Sequence, residues 1–301
     1  EDLGLLKIDI LGLKNLTIIE ETGRMVQEGR GETIDVDLVP LDDQKTFSAL
    51  QQGETTGVFQ FEGQGMRRYM KALKPTELED LVALVSLFRP GPMELIPSYI
   101  HRKHGRESIT YLHPKLEPIM ASTYGVGIYQ EQMMRIAVDL AGYTLPEADT
   151  LRKAIGKKIK SLLNEQQEKL ISGMIKNGID PRTARAIWEL FPPFARYGFN
   201  RSHGVAYALI GYKTAYLKTY YPVEFMTALL NSDSGDIDRV AFLVSECRRM
   251  GIAVLPPDVN HSGVKFVPDY SANSGRAIRF GLTAVKNVGD NIVEAIVAER
   301  Q

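Results

Sequence analysis

The sequence predicts a predominantly α-helical chain with a small α+β part, and three observations carry that prediction. Segments of helical length at 76–88, 129–141, 146–156, 161–177, 181–191, 201–220, 222–231 and 236–250 follow one another between proline and glycine breaks. The clearest strand stands alone near the N-terminus. After LPPDVN at 255–260 the helical pattern gives way to short strands at 264–267 and 277–281, and then to LTAVKNVGDNIVEAIVAER.

In chain order, LLKIDIL alternates, with Leu6, Ile8 and Ile10 on one face and Lys7 and Asp9 on the other, the pattern of a half-buried strand. TTGVFQFEGQG reads as a second short extended stretch, and MRRYMKALKP then opens a helix bearing Arg67, Arg68, Lys71 and Lys74. In FRPGPM at 88–93 each proline fixes its own φ and restrains its predecessor, so the turn holds Arg89 in place. Over 201–220, Asn200 is a suitable N-cap, which puts Arg201, Ser202 and His203 in the first turn, and Pro222 closes the run. Val205, Leu209, Tyr216 and Tyr220 recur at near-helical spacing and predict the apolar seam, while His203 and Tyr207, four apart, share a face.

A chain of 301 residues with 44% hydrophobic content can bury a core shared among two or three subdomains. No stretch reaches the ~18 uninterrupted apolar residues of a membrane span, and no basic-then-apolar leader opens the chain, so a cytoplasmic setting is expected. Cys247 is the single cysteine, which excludes an internal disulfide framework and a thiolate-rich metal cluster. Beginning at Glu1 without a methionine, the chain is expected to be a piece of a longer polypeptide. The net charge of −1 argues against nucleic acid only as an average. Residues 1–64 hold five Lys/Arg against thirteen Asp/Glu, whereas residues 151–201 hold eleven against four, a local excess suited to phosphates or to a solvated face.

Several constellations could carry chemistry. Lys7 and Asp9 would set a phosphate-neutralising cation beside a metal ligand, although one aspartate cannot make a two-metal site. DTLRKAIGKKIK at 149–160 puts Lys153, Lys157 and Lys160 on one stripe, and Gly156 lets an anion approach the backbone while Arg152 grips it from one turn away. In AVKNVGDNIVEAI a short helix, a Val288-Gly289 hairpin and a second helix look like half of a helix-hairpin-helix, with Lys286 beside the hairpin to hold a DNA phosphate. His101, His104 and His113 lie among cations with no cysteine or carboxylate cluster, which argues against zinc. Ser202 and His203 are adjacent on one helix, poor geometry for a nucleophile and its base. Read alone, the 201–207 turn fits a capped core helix better than a site for an anionic, sugar-bearing ligand.

The strings LLKIDILGLKNLT, TTGVFQFEGQGM, LFRPGPM, YGVGIYQEQMM, LRKAIGKK, YGFNRSHGVAYALIGYKTAYLK and LPPDVN, in this order, closely resemble the alpha-subunit family of bacterial DNA polymerase III, the family C replicative DNA polymerases. The resemblance runs from Leu3 to the end. It implies that residues 1–14 are the C-terminal edge of a palm, 15–255 a helical fingers domain and 256–301 a small β and helix-hairpin-helix DNA-binding region. It implies template-directed addition of dNTPs to a primer 3′-hydroxyl by a two-ion Mg²⁺ mechanism, with Asp9 the third catalytic aspartate and sole metal ligand in this chain, and Lys7 beside it. Arg152, Lys153, Lys157, Lys158, Arg201, Ser202, His203 and Tyr207 are then expected to contact the dNTP. Arg89 and Glu131 fall in matching motifs and are expected to line the pocket. Arg67, Arg68, Lys286, Val288 and Gly289 are expected to contact DNA. The implied partners are primer-template DNA, dNTPs and, in the full-length protein, the sliding clamp and other replisome subunits, with no membrane and a cytoplasmic, nucleoid-associated location. A DNA-binding module without chemistry and the mutagenic translesion paralogue of the same family are the alternatives, and the isolated chain is expected to be inactive.

Overall fold

A computed structural model describes residues 12–157, 160–193 and 198–300. Asp9, Lys7 and the LLKIDIL strand therefore lie outside the described residues, as does Lys158, and the side chain of Lys157 is not described. The chain divides into two compact units, one of Glu1–Pro40, Thr55–Glu62 and Ile210–Gln301, the other of Leu41–Glu54 and Gly63–Leu209.

Among the described residues, the second unit is built from helices joined by turns. Its core gathers Ile136 and Leu140 of the Gln130–Ala141 helix, Leu151 of Leu145–Lys157, Leu170 and Met174 of Lys160–Lys176, and Ile187 of Pro181–Trp188, all fully buried. The breaks between these helices follow from local chemistry. Gly142 ends one in the left-handed conformation, and Asp180 starts another by accepting from the N–H groups of Arg182 and Thr183, with Pro181 at the first helical position. Leu78–Leu87 is buried from Asp80 onward, including the Asp80 carboxylate, which takes Lys103 as its ion-pair partner at 2.7 Å.

In the first unit the Lys14–Arg30 helix shares its core with Pro222–Ser232 and Ile237–Arg249, whose Ile18, Phe225, Leu229 and Leu243 are buried. Two internal ion pairs tie it together. Arg30 clasps the fully buried Glu224 carboxylate, which also accepts from the Tyr270 hydroxyl. Lys218, 6% exposed, donates to Glu246 at 3.2 Å and to the Thr56 carbonyl at 2.9 Å. Cys247 is buried beside them, and burial pushes its thiol up to about 12. A small sheet completes the unit: β1 (Ala253–Leu255), β2 (Val267–Asp269) and β3 (Ala277–Arg279), in the order β1-β3-β2. β1 runs parallel to β3, with Ala253 opposite Ala277, and β2 runs antiparallel, with Val267 opposite Arg279.

Some expectations shift. The extended stretch expected at TTGVFQFEGQG is a series of turns, because Gly57 (φ 75°) and Gln60 (φ 64°) take the left-handed conformation, which a pleated strand excludes. The strand expected at 264–267 lies at Val267–Asp269, and β1 forms where the helical reading was still running out. The first helix of the expected hairpin is only a 3-10 turn, Leu282–Ala284, and the left-handed residue is Asn287 (φ 67°) rather than Gly289, whose φ of −85° makes it the entry to the Asp290–Glu299 helix.

The Arg201–Tyr220 helix belongs to the second unit through Leu209 and to the first from Ile210. Its seam also departs from the pattern. Val205, Leu209, Tyr216 and Tyr220 are only half-buried, while Gly204, Ala208, Gly211, Tyr212 and Ala215 are buried. Small residues win the interface because neighbours press on it. A Cβ at Gly204 would stand 2.8 Å from Ser86 Oγ, and one at Gly211 would stand 2.5 Å from the Phe61 ring.

Candidate functional site

The second unit gathers several of the expected residues at the start of the Arg201–Tyr220 helix. The preceding segment is fixed first. Phe199 donates its N–H to Ile128 and accepts from the N–H of Gln130, both at 2.9 Å, and forms a parallel bridge opposite Tyr129. Gln132 Oε1 accepts from the N–H groups of Ile128 and Tyr129, so the anchoring segment is itself held. Asn200 then caps the helix by accepting from the His203 N–H at 2.8 Å.

From this base the side chains form a column. The Arg89 guanidinium lies over the Phe199 ring, 4.5 Å from its centroid, and its Nε donates to the Ser86 carbonyl at 2.9 Å. Phe199 faces the His203 ring at 5.5 Å, and His203 faces Tyr207 at 4.2 Å, so the expected i,i+4 pair is in ring contact. Burial lowers the Arg89 pKa. Ser202 is exposed in the first turn, beside the column.

Two carboxylates balance the positive groups here. Arg201 donates its N–H to both oxygens of Glu131, at 3.0 and 3.1 Å, and its guanidinium pairs with Glu79 at 2.6 Å while lying 5.8 Å from the centre of the buried Tyr129 ring. The Glu79 hydrogen bond raises the Arg201 pKa, and burial raises that of Tyr129. A carboxylate thus occupies the positively biased end of the helix, the place where an anion is most favoured.

Residues 15–178, more than half of the chain, match the bacterial DNA polymerase III alpha subunit finger domain. The chain belongs to that family. Residues 251–301 match a helix-hairpin-helix motif. Across its whole length the chain is 49% identical to DNA polymerase III subunit alpha of Thermus aquaticus, covering 25% of that protein. It is 46% identical to the same subunit of Mycobacterium tuberculosis and of Bacillus subtilis, covering 25% and 26% of them. The chain thus spans about a quarter of the length of these relatives.

The remaining expected residues are spread over other elements. Arg152 and Lys153, on Leu145–Lys157, both pair with Asp149, at 2.8 and 2.7 Å. Arg67 and Arg68 lie on Gln64–Leu73, with Arg68 over the Tyr69 ring at 5.2 Å. Lys286 and Gly289 are exposed and Val288 half-buried in the turn before the last helix. His104 Nε2 meets the Leu73 carbonyl at 3.0 Å, and His113 Nδ1 accepts from the Lys115 N–H.

Sequence reasoning missed Phe199 and Glu79, and placed Glu131 at the pocket without its partner. Phe199 lies inside the quoted GFNRSHG string, yet nothing in its spacing says that it separates Arg89 from His203. Glu79 and Glu131 lie 122 and 70 residues from Arg201, so no local pattern announces them as its partners.

Proposed function

We propose that the chain is the finger-domain portion of a replicative, DNA-directed DNA polymerase, and that the column of Arg89, Phe199, His203 and Tyr207 receives the incoming dNTP. The observation that carries this reading is the convergence of a cation, three rings and a capped helix N-terminus on one turn. The Glu131 carboxylate on the Arg201 N–H supports it further, because a position that already accepts one anion suits a phosphate in exchange. In the reaction the primer 3′-oxygen attacks the α-phosphorus, a new P–O bond forms, pyrophosphate leaves and the hydroxyl proton is lost. Arg89 and Arg201 hold the triphosphate, with Arg152, Lys153, Lys157 and Lys158 as further contacts, while Ser202 and His203 face the sugar and Tyr207 backs the His203 ring.

Asp9 and Lys7 keep the catalytic role in this proposal. Among the described residues no three His, Cys, Asp or Glu side chains are grouped to hold a metal ion, so these residues do not fit the Mg²⁺ site, which the proposal leaves with Asp9. Primer-template DNA is the partner of Arg67, Arg68 and the Lys286–Gly289 turn, and the sliding clamp and other replisome subunits are partners of the full-length, nucleoid-associated protein. Among the described residues no helix is long and apolar enough to cross a membrane.

The test is sugar selectivity in the full-length subunit. A ribose hydroxyl pressed on this turn is left clashing or unpaired, so Ser202→Ala or His203→Ala is expected to change the dNTP-to-rNTP ratio of kcat/KM by at least tenfold, about 1.4 kcal/mol, with primer-template affinity nearly unchanged. An unchanged ratio in both variants would make the turn structural only.

A further inference from the structure

Cations that the sequence concentrates in 151–201 are in part neutralised within the protein: Arg152 and Lys153 by Asp149, Lys169 by Glu147 and Arg201 by Glu79. The helices Gln64–Leu73 and Ile96–Lys103 present the opposite situation. Arg68, Lys71, Lys74 and Arg106 are exposed, make no ion pair among the described residues and line one cleft of about 400 Å³. No carboxylate belongs to that lining. Cations at a helix C-terminus offset its dipole, which accounts for Lys71 and Lys74 but not for Arg68 in mid-helix or Arg106 beyond the second helix.

The cleft is also held in shape. His104 Nε2 meets the carbonyls of Ala72 and Leu73 at 3.3 and 3.0 Å, linking the ends of the two helices. On one wall the Arg68 guanidinium lies 5.2 Å from the centre of the Tyr69 ring, which is set edge-on to Phe88 at 6.0 Å, and Pro97 adds apolar surface to the lining. Four uncompensated cations around an aromatic and apolar floor match the chemistry of a nucleotide within a single strand, whose phosphates need neutralising and whose base needs a face to lie on. The volume suits one such unit, being at the lower end of small-ligand sites.

We propose that this cleft binds the phosphodiester backbone of single-stranded DNA, with one base lying against the Tyr69 and Pro97 wall. The proposal rests on the DNA-polymerase reading but concerns a site separate from the dNTP column. Its test is a salt titration of the 301-residue chain with a labelled oligothymidylate, comparing the wild type with Lys71→Gln/Arg106→Gln and with Arg68→Gln/Lys74→Gln. Each pair should shallow the slope of log K against log salt by about 1.4, at about 0.7 per lost single-strand contact, and circular dichroism checks that each pair folds. Because the pairs are independent and exposed, either one suffices if the other misfolds. An unchanged slope overturns the proposal, as does tighter binding of a matched duplex. Displacement of the oligonucleotide by thymidine triphosphate would assign the cleft to a free nucleotide and overturn it too. If the wild-type chain binds no oligonucleotide the cleft proposal fails by itself, because sugar selectivity in the full-length subunit is measured separately.

Discussion

Replacing Glu246 with alanine is expected to lower the stability of the protein by about 3–5 kcal/mol, measured as a shift in the urea midpoint at constant slope. Glu246 is 8% exposed and accepts from Lys218 and, through both oxygens, from Arg249. Arg249 is half exposed and can return to water, but Lys218 is 6% exposed, so deleting the carboxylate takes the ion-pair partner away from a buried ammonium. A loss below about 1 kcal/mol would place the pair among those that contribute little. The same carboxylate gives a pH signature. Its bond to Arg249, with Lys218 adding to it, holds its pKa down to about 2 against an ordinary 4.5. A depressed pKa contributes stability that is present above about 4.5 and is lost as pH falls from there towards about 2. Glu246→Gln should therefore flatten the acid limb of the stability curve in that window.

Arg89→Ala in the full-length polymerase subunit is expected to lower kcat/KM for dNTP about 10- to 100-fold, the ~1.5–3 kcal/mol of a hydrogen bond to a charged group. FRPGPM, the Ser86 carbonyl and the Phe199 ring together hold the guanidinium in one place, so on the proposed reading little is lost in ordering it for a nucleotide. Arg89→Lys should recover little of the loss, because an ammonium cannot both lie flat on Phe199 and donate sideways to Ser86 and a phosphate. Full activity in the lysine variant would mean that charge alone matters there and that the column has no role in positioning.

Much of the helical architecture was legible because its signals are local. Asp180-Pro181 and Asn200 mark starts, and Gly142 marks an end, in a sequence window no longer than one turn. The helix at Arg201–Tyr220 was found from end to end for this reason, yet its buried face was misplaced. Periodicity counts large apolar residues, whereas Gly204 and Gly211 are buried by what presses on them from Ser86 and Phe61, elements 118 and 150 residues away in sequence. The small sheet was only partly visible because three-residue strands carry too few alternations to fix a register. At the candidate site the residue types were visible and the neutralisation was not. The net charge of 151–201 pointed to phosphates, but Asp149, Glu147 and Glu79 take up part of it, while four cations that make no ion pair among the described residues line the cleft of Arg68 and Arg106.

Photoaffinity labelling of the full-length, primed subunit with an azido-dNTP, followed by mass-spectrometric mapping, tests the dNTP column most directly. The expected result is label within residues 86–89 or 198–207, protected by the matching dNTP and reduced in Arg89→Ala. Label confined to other segments, unaffected by that substitution, would contradict the assignment of the column to the incoming nucleotide.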